Sequence, residues 1–324
     1  MKLKFRTLAL LCAGLLVAGS AASAFPDKPI KLISPFPPGG QVANIAYIMS
    51  QKMGQLIGQP MIMETRAGAG GQIAANQVAK GSKDGYQLLF ATSSMLGIAK
   101  FMNKDLPYDP VTDFAAIAYL GNVTVGIFAS ATTPFTTFEQ VVTYAKANPG
   151  KLSFSSPGIG SVSHLAGELL WARAGIKLVH VPYAGNSAQM SDLVSGQHQI
   201  AMSGMVSGLP YSKEGRTRLL GVVGPTRSKL VPNVPAIGES MPGYDAPAWL
   251  GIVAPAGLPR DALERLEAVA QQALADAPTR KALEDQGVDL DVITARAFSD
   301  KIRRDMPLWE EAVKAAGGPP APAK

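Results

Sequence analysis

An α/β fold in two lobes, each a mostly parallel sheet flanked by helices, follows from three features of the 324-residue sequence. Short apolar runs of strand character alternate with helical stretches along most of the chain, the pattern that builds βαβ units. The block 126–247 carries its own strands and helices, so it reads as lobe 2 inserted into lobe 1, which comprises 25–125 and 248–324. Finally, the length suffices for two cores, and 47% apolar against 17% charged residues describes a globular chain.

Residues 1–24 stand apart from this pattern. Lys2, Lys4 and Arg6 lead into an apolar run from Leu8 to Val17 and then Ala22-Ser-Ala24, the composition of a secretory signal peptide cleaved after Ala24. The run is shorter than the ~20 residues of a membrane span, so the expectation is an exported, soluble protein. Cys12 is the only cysteine and lies in that segment, with Leu11 where a lipoprotein anchor needs a small residue. The mature chain then has no thiol, which excludes disulfides, cysteine nucleophiles and thiolate metal sites. Removing Lys2, Lys4 and Arg6 leaves 27 basic against 24 acidic residues, a net charge of +3. No cluster of five or more Lys/Arg occurs, which argues against nucleic acid as a partner.

In order, Ile30–Ser34 reads as a strand, Pro35–Gly40 as a turn, and Gln41–Gly58 as a helix with Ile45, Ile48, Met49 and Met53 on one face. Met61–Glu64 is a second strand. Arg66-Ala-Gly-Ala-Gly-Gly71 opens a helix but lacks G-x-G-x-x-G spacing, since Ile73 fills the last position, so no dinucleotide site is expected. Tyr86–Ala91 forms a strand ending at Thr92-Ser-Ser94, hydroxyls that either line a cleft or cap the next helix. Ile117–Leu120 and Val123–Ala129 are strands, and Thr136-Thr-Phe-Glu139 is a capping box for a helix stopped by Pro149-Gly150. Further strands are expected at Val179–Tyr183, Ile200–Ser203, Leu219–Val223 and Trp249–Ala254, with a helix between Ala184 and Gly196. Long helices then follow Pro259 and span Ala295–Ala316.

Two stretches point to a ligand. Leu152 and Phe154 alternate with serines as a strand, Ser155–Gly160 turns on small residues, and a helix starts at Val162. Free backbone N–H groups and hydroxyls at such a strand–turn–helix junction suit an anion, although many such junctions only turn the chain. The Pro35–Gly40 turn repeats the arrangement in the other lobe. Together they offer Phe36, Pro38, Gly39, Gly40, Gln41 and Asn44 on one side, and Ser156, Gly158, Gly160, Ser161, Ser163 and His164 on the other. His164 either touches ligand or caps and packs. Thr92, Ser93, Tyr183, Asn186, Ser187 and Ser203, at strand ends and a helix start, complete the candidate binding set.

Several motifs occur together and in order. They are Pro26-Asp-Lys-Pro-Ile-Lys-Leu-Ile33, Pro35-Phe-Pro-Pro-Gly-Gly40, Arg66-Ala-Gly-Ala-Gly-Gly71 and Asp84-Gly-Tyr86. Ala147-Asn-Pro-Gly-Lys-Leu152, Gly158-Ile-Gly-Ser-Val-Ser-His-Leu-Ala-Gly-Glu-Leu169, His180-Val-Pro-Tyr183 and Ala254-Pro-Ala-Gly257 follow. Over about Pro26 to Gly317 the chain resembles the Bug proteins, periplasmic solute receptors of tripartite tricarboxylate transporters. The resemblance implies a two-lobed Venus-flytrap periplasmic binding protein, type II-like, that closes on a small organic acid and delivers it to membrane permease subunits. It also implies that the turns at Pro35–Gly40 and Ser156–Ser163 clasp a ligand carboxylate. One departure stands out: the family's Ser-Thr-Asp after Gly-Gly is Gln41-Val-Ala43 here, with Tyr47 where Arg is common. Losing that aspartate removes a partner for a ligand ammonium group, unless its role is only to cap the helix. Gln41 or Asn44 can stand in as a neutral group.

An enzyme has less support. His164, His180 and His198 show no H-E-x-x-H or other metal spacing, and Gly238-Glu-Ser-Met-Pro242 fails the G-x-S-x-G pattern at its last position. No metal and no cofactor are expected. A receptor that reports to a membrane sensor kinase, without transport, uses the same lobe closure and remains the alternative.

Overall fold

The computed structural model describes residues 25–319, so the signal-peptide expectation for 1–24, Cys12 included, lies outside the described residues. Strand β1 (Ile30–Ser34) runs through the turn at Pro35–Gly40 into α1 (Gln41–Ile57), which Gly58 ends in the left-handed conformation. β2 (Met61–Thr65), α2 (Gln72–Ala79) and β3 (Gln87–Thr92) follow. A wide turn at Ser94–Ile98, α3 (Ala99–Met102) and β4 (Phe114–Val123) then carry the chain toward the second sheet.

The second sheet begins with β5 (Val125–Ser130), α4 (Phe138–Ala147), β6 (Ser153–Ser156) and α5 (Val162–Arg173). It continues through β7 (Val179–Pro182), α6 (Asn186–Val194), β8 (Ile200–Gly204), α7 (Met205–Lys213), β9 (Thr217–Val222) and the short α8 (Ile237–Ser240). The chain returns as β10 (Trp249–Pro255) and ends in α9 (Arg260–Ala275), α10 (Ala277–Asp285), β11 (Val288–Leu290) and α11 (Ala295–Ala315).

Both sheets are mixed, where alternation along the sequence predicts mostly parallel ones. The first has the order β11-β4-β10-β3-β1-β2 and the second β7-β6-β8-β5-β9. Only β2, β1 and β3 in one, and β7, β6 and β8 in the other, run parallel to one another. The reason is the double crossing between sheets. β4 leaves the first sheet and β10 returns beside it, so the two run in opposite directions, and β5 leaves the crossing between β8 and β9. The crossing strands are joined directly, Val123 N–H donating to the Ala248 carbonyl at 2.9 Å and Val223 N–H to the Val125 carbonyl at 2.8 Å.

Other differences from the sequence pattern have local causes. The cap of α4 is Thr137, whose hydroxyl accepts from Gln140 N–H at 3.3 Å, one residue later than the predicted Thr136. Helix α7 was hidden by Gly208 and Pro210. Gly208 is required there, since a β-carbon would stand 2.3 Å from the Phe128 ring. The stretch between the two C-terminal helices holds α10, capped by Asp276 through Thr279 N–H at 3.0 Å, and the edge strand β11.

The last helix joins two cores. Phe298 and Ile302 pack with Tyr119 and Trp249 of the first sheet, whereas Trp309, Ala312 and Val313 pack with Phe154, Leu169 and Trp171 of the second. Gly97 admits the Trp309 ring, since a β-carbon at Gly97 would stand 2.7 Å from Trp309 Cδ1. Arg173 of α5 forks onto Glu311 at 3.0 and 2.7 Å. Besides the two crossing strands, α11 is therefore a third, non-covalent link between the sheets. Truncating its anchor, Trp309→Ala, is expected to lower the unfolding free energy by about 3–5 kcal/mol. Urea denaturation checks this, and a loss below ~1 kcal/mol, the range of a surface substitution, would contradict the packing described.

Candidate functional site

A cavity of about 180 Å³ lies between the sheets, above the crossing strands. Phe36 and Gln41 reach it from the first turn, Thr92 and Ser93 from the end of β3, and Ser161, Ser163 and Asn186 from the second sheet. These residues of the predicted set share one space although they come from both sheets. Helix α1 begins there behind Gly40, which has no side chain with which to cap the first turn. Helix α5 also begins there. Its cap Ser161 accepts from His164 N–H at 3.1 Å, leaving the Val162 and Ser163 N–H groups without intrahelical partners. Two helix N-termini, one from each sheet, thus meet at one cavity and carry partial positive charge into it.

The hydroxyls of Thr92 and Ser93 are the second distinctive feature. The two residues are 7% and 1% exposed, and neither Oγ has a hydrogen-bond partner in the protein. Neither caps the turn that follows, so of the two readings of Thr92-Ser-Ser94 the geometry favours lining the cleft. Asn186 accepts from Ser203 Oγ at 3.0 Å, so Ser203 acts on the cavity through Asn186. Gln41 gives its amide to the Gln286 carbonyl at 2.6 Å.

The remaining predicted residues do not line the cavity. Pro38, Gly39, Gly40 and Asn44 are exposed at the first turn and the start of α1, and Ser187 is exposed on α6. Ala43, where the resemblance implies aspartate, is only 1% exposed and faces the interior. Tyr183 donates to Asp192 at 2.8 Å and lies 3.3 Å from His198 Nδ1, within lobe 2. Ser156, Gly158, Gly160 and His164 shape the turn from behind. Gly158 and Gly160 take φ of 151° and 74°, conformations that favour glycine. Gly160 N–H donates to His164 Nδ1 at 3.2 Å, while Ser156 Oγ bonds His180 Nε2 at 2.8 Å and the Gly158 carbonyl at 3.1 Å. The His164 and His180 rings stack with centroids 4.0 Å apart, so His164 packs beneath the turn.

His164, Glu168 and His180 bring three potential metal ligands within 4.8 Å of one another. The hydrogen bonding opposes a metal there. Gly160 N–H occupies Nδ1 of His164, which places the proton of the neutral ring on Nε2, the atom that faces Glu168. Burial holds both histidines down to about 4, so the 3.8 Å approach of Glu168 to His164 is not an ion pair near neutral pH.

What the sequence reading missed is the apolar half of the cavity: Val42, Pro157 and Val162 on the walls, and Val123, Val125 and Trp249 on the crossing strands. The segments that pass between the two sheets, near residues 124 and 248, mark this floor. A larger cavity of about 330 Å³ lies among Thr124, Arg227, Lys229, Asp245, Asp289 and Asp291. It mixes opposite charges, and its central Asp289 already accepts from Ser228 at 2.7 Å, so the smaller cavity is the better candidate.

Burial raises Glu168 to about 7, against the opposing pull of Lys177. Its folded value lies above the ordinary 4.5, so the native state binds more protons and stability falls as pH rises between those values. The lowered histidines act in the opposite sense from about 4 to 6.5, which isolates Glu168 above that window. Glu168→Gln is therefore expected to raise Tm relative to the wild type at pH 8, an advantage that shrinks by pH 5. Thermal unfolding across that range checks it, and a pH-independent difference would contradict the assignment.

The Tripartite tricarboxylate transporter family receptor model matches residues 45–317. A UPF0065 protein from the tcbD-tcbE intergenic region of Pseudomonas sp. strain P51 is 36% identical over 292 residues, 90% of this chain and 87% of the relative. Protein BugT of Bordetella pertussis is 28% identical and 93% of each chain is covered. Among solved structures, Rpa4515 of R. palustris with adipate superposes with a TM-score of 0.80 at 26% identity, covering 92% of this chain and 100% of that one. Among the described residues no helix is long and apolar enough to cross a membrane. With the family model spanning most of the described fold, this chain belongs to the tripartite tricarboxylate transporter family of receptors.

Proposed function

We propose that this chain is a periplasmic receptor, exported by residues 1–24, that captures a small organic carboxylate between two lobes. One observation carries the reading: the N-terminus of α1, which has no side-chain cap, and that of α5, whose cap Ser161 leaves the Val162 and Ser163 N–H groups free, come from different sheets and meet at a cavity that also holds the unpartnered hydroxyls of Thr92 and Ser93. A carboxylate satisfies all of these donors at once, and does so from both sheets only when they are close together. Adipate bound to the R. palustris relative supports the ligand class. The family's name supports delivery to membrane subunits of a tripartite transporter. Among the described residues that line the cavity, none is placed as a nucleophile beside a base, and binding without turnover is the function proposed.

A thermal-shift screen with an organic-acid library tests the reading. At a hundredfold excess over Kd, a true ligand adds about 2.7 kcal/mol of stability. Gly160→Val should abolish binding of that acid and leave a folded protein. Valine at φ 74° is strained by about 1–2 kcal/mol, and its β-carbon meets Met102 Cε at 3.2 Å. Unchanged affinity in calorimetry would remove this turn from the clasp, and turnover of ester or amide substrates would contradict a receptor. Delivery is checked by uptake of the same acid, which should stop when the membrane subunits are deleted.

A further inference from the structure

Resting on the reading that two lobes close on a ligand, we propose that Lys229 and Asp291 form an ion pair when the lobes open. This pair, remote from the ligand, then sets how tightly the ligand is held. The crossing strands separate two cavities. Val123, Val125 and Ala248 border both, Trp249 and Leu250 only the one assigned to the ligand, and Thr124 and Pro247 only the larger one of about 330 Å³. On the ligand side the two halves touch. A β-carbon at Gly160 would stand 3.2 Å from Met102 Cε, and one at Gly204 3.9 Å from Gln41 Oε1. On the other side they stand apart, and the gap is the larger cavity.

The pivot lies between the two cavities. Ser228, which follows β9 of the second sheet, donates to Asp289 of β11 at 2.7 Å, and Thr124 bonds both. A rotation about this point that parts the ligand side narrows the gap behind it. The walls of that gap carry opposite charge. Arg227 and Lys229 flank Ser228 on one wall, Asp291 follows Asp289 on the other, and Asp245 lies beside the returning strand. Arg227 is already forked onto Glu239 at 2.7 and 2.8 Å, and Lys301 is close enough to Asp245 to favour its charged form. Among the described residues, Lys229 and Asp291 have neither an ion pair nor a side-chain hydrogen bond. They are the two charges that opening brings together. An attraction made only in the open state lowers the share of closed protein, and apparent affinity falls by the same factor. An exposed pair shifts such an equilibrium by roughly two- to fivefold.

Residues 25–324 contain no cysteine, so dyes can be placed on Lys104→Cys in one half and Lys151→Cys in the other, both at exposed positions. Single-molecule energy transfer on the ligand-free protein then counts open and closed molecules. Lys229→Glu and Asp291→Lys each replace attraction by repulsion, so both should lower the open-to-closed ratio by at least the factor an exposed pair supplies. Combining them restores the pair with its signs exchanged and should return the ratio to that of the wild type. The differences should vanish in about 1 M salt. Calorimetry with the acid that most raises Tm in the library gives a second readout. Lys229→Glu makes the protein more negative, yet it should tighten binding of that anion. Ratios unchanged in both single variants, or shifted in opposite directions, overturn the pairing and leave the receptor standing. A wild type already closed without ligand overturns it too. If the acid binds but does not close the open molecules, capture between two lobes itself falls.

Discussion

The hydrogen bond from Val123 N–H to the Ala248 carbonyl couples the strand that leaves the first sheet to the strand that returns to it. Much of the architecture depends on that antiparallel crossing. It makes both sheets mixed, because a strand coming back beside its outgoing partner must oppose it. It also sets an apolar floor between the sheets, since the residues that pass from one core to the other are Val123, Val125, Trp249 and Leu250. Thr124, at the centre of the crossing, is bonded by its hydroxyl to Ser228 and Asp289 and by its carbonyl to Met205 N–H. The pivot is thereby held by both sheets.

Above this floor, rigidity comes from behind the site. The turn between β6 and α5 has its polar atoms paired inward, to two stacked neutral histidines and to its own carbonyls, and this arrangement leaves the first N–H groups of α5 facing the cavity. The cavity itself has the reverse character, with donors left open and, among the described residues, no charged side chain lining it. Pre-formed donors cost little reorganisation when an anion arrives, which is how a site lined by no arginine or lysine can still hold a carboxylate.

Much of this was legible from local chemistry. Strand–turn–helix order and the Gly158 and Gly160 turn both follow from residue type and spacing. Strand direction was not legible, since alternation along a chain does not say which way a returning strand runs. The capping of α5 by Ser161 and the packing of His164 under it depend on side-chain rotamers that spacing leaves open. Val125 and Trp249 read only as strand residues, because an apolar cavity floor and a closed core have the same sequence pattern. The position of α11 across two cores was hidden for a similar reason: one amphipathic face serves two neighbours in succession.

The central claim is that one carboxylate is held by donors from both sheets at once. Amide hydrogen exchange at Val42, Val162 and Ser163, with and without a saturating acid, measures this most directly. The account predicts that the ligand slows exchange at the starts of α1 and α5 together. Protection confined to one helix, with the other exchanging as in the free protein, would contradict it.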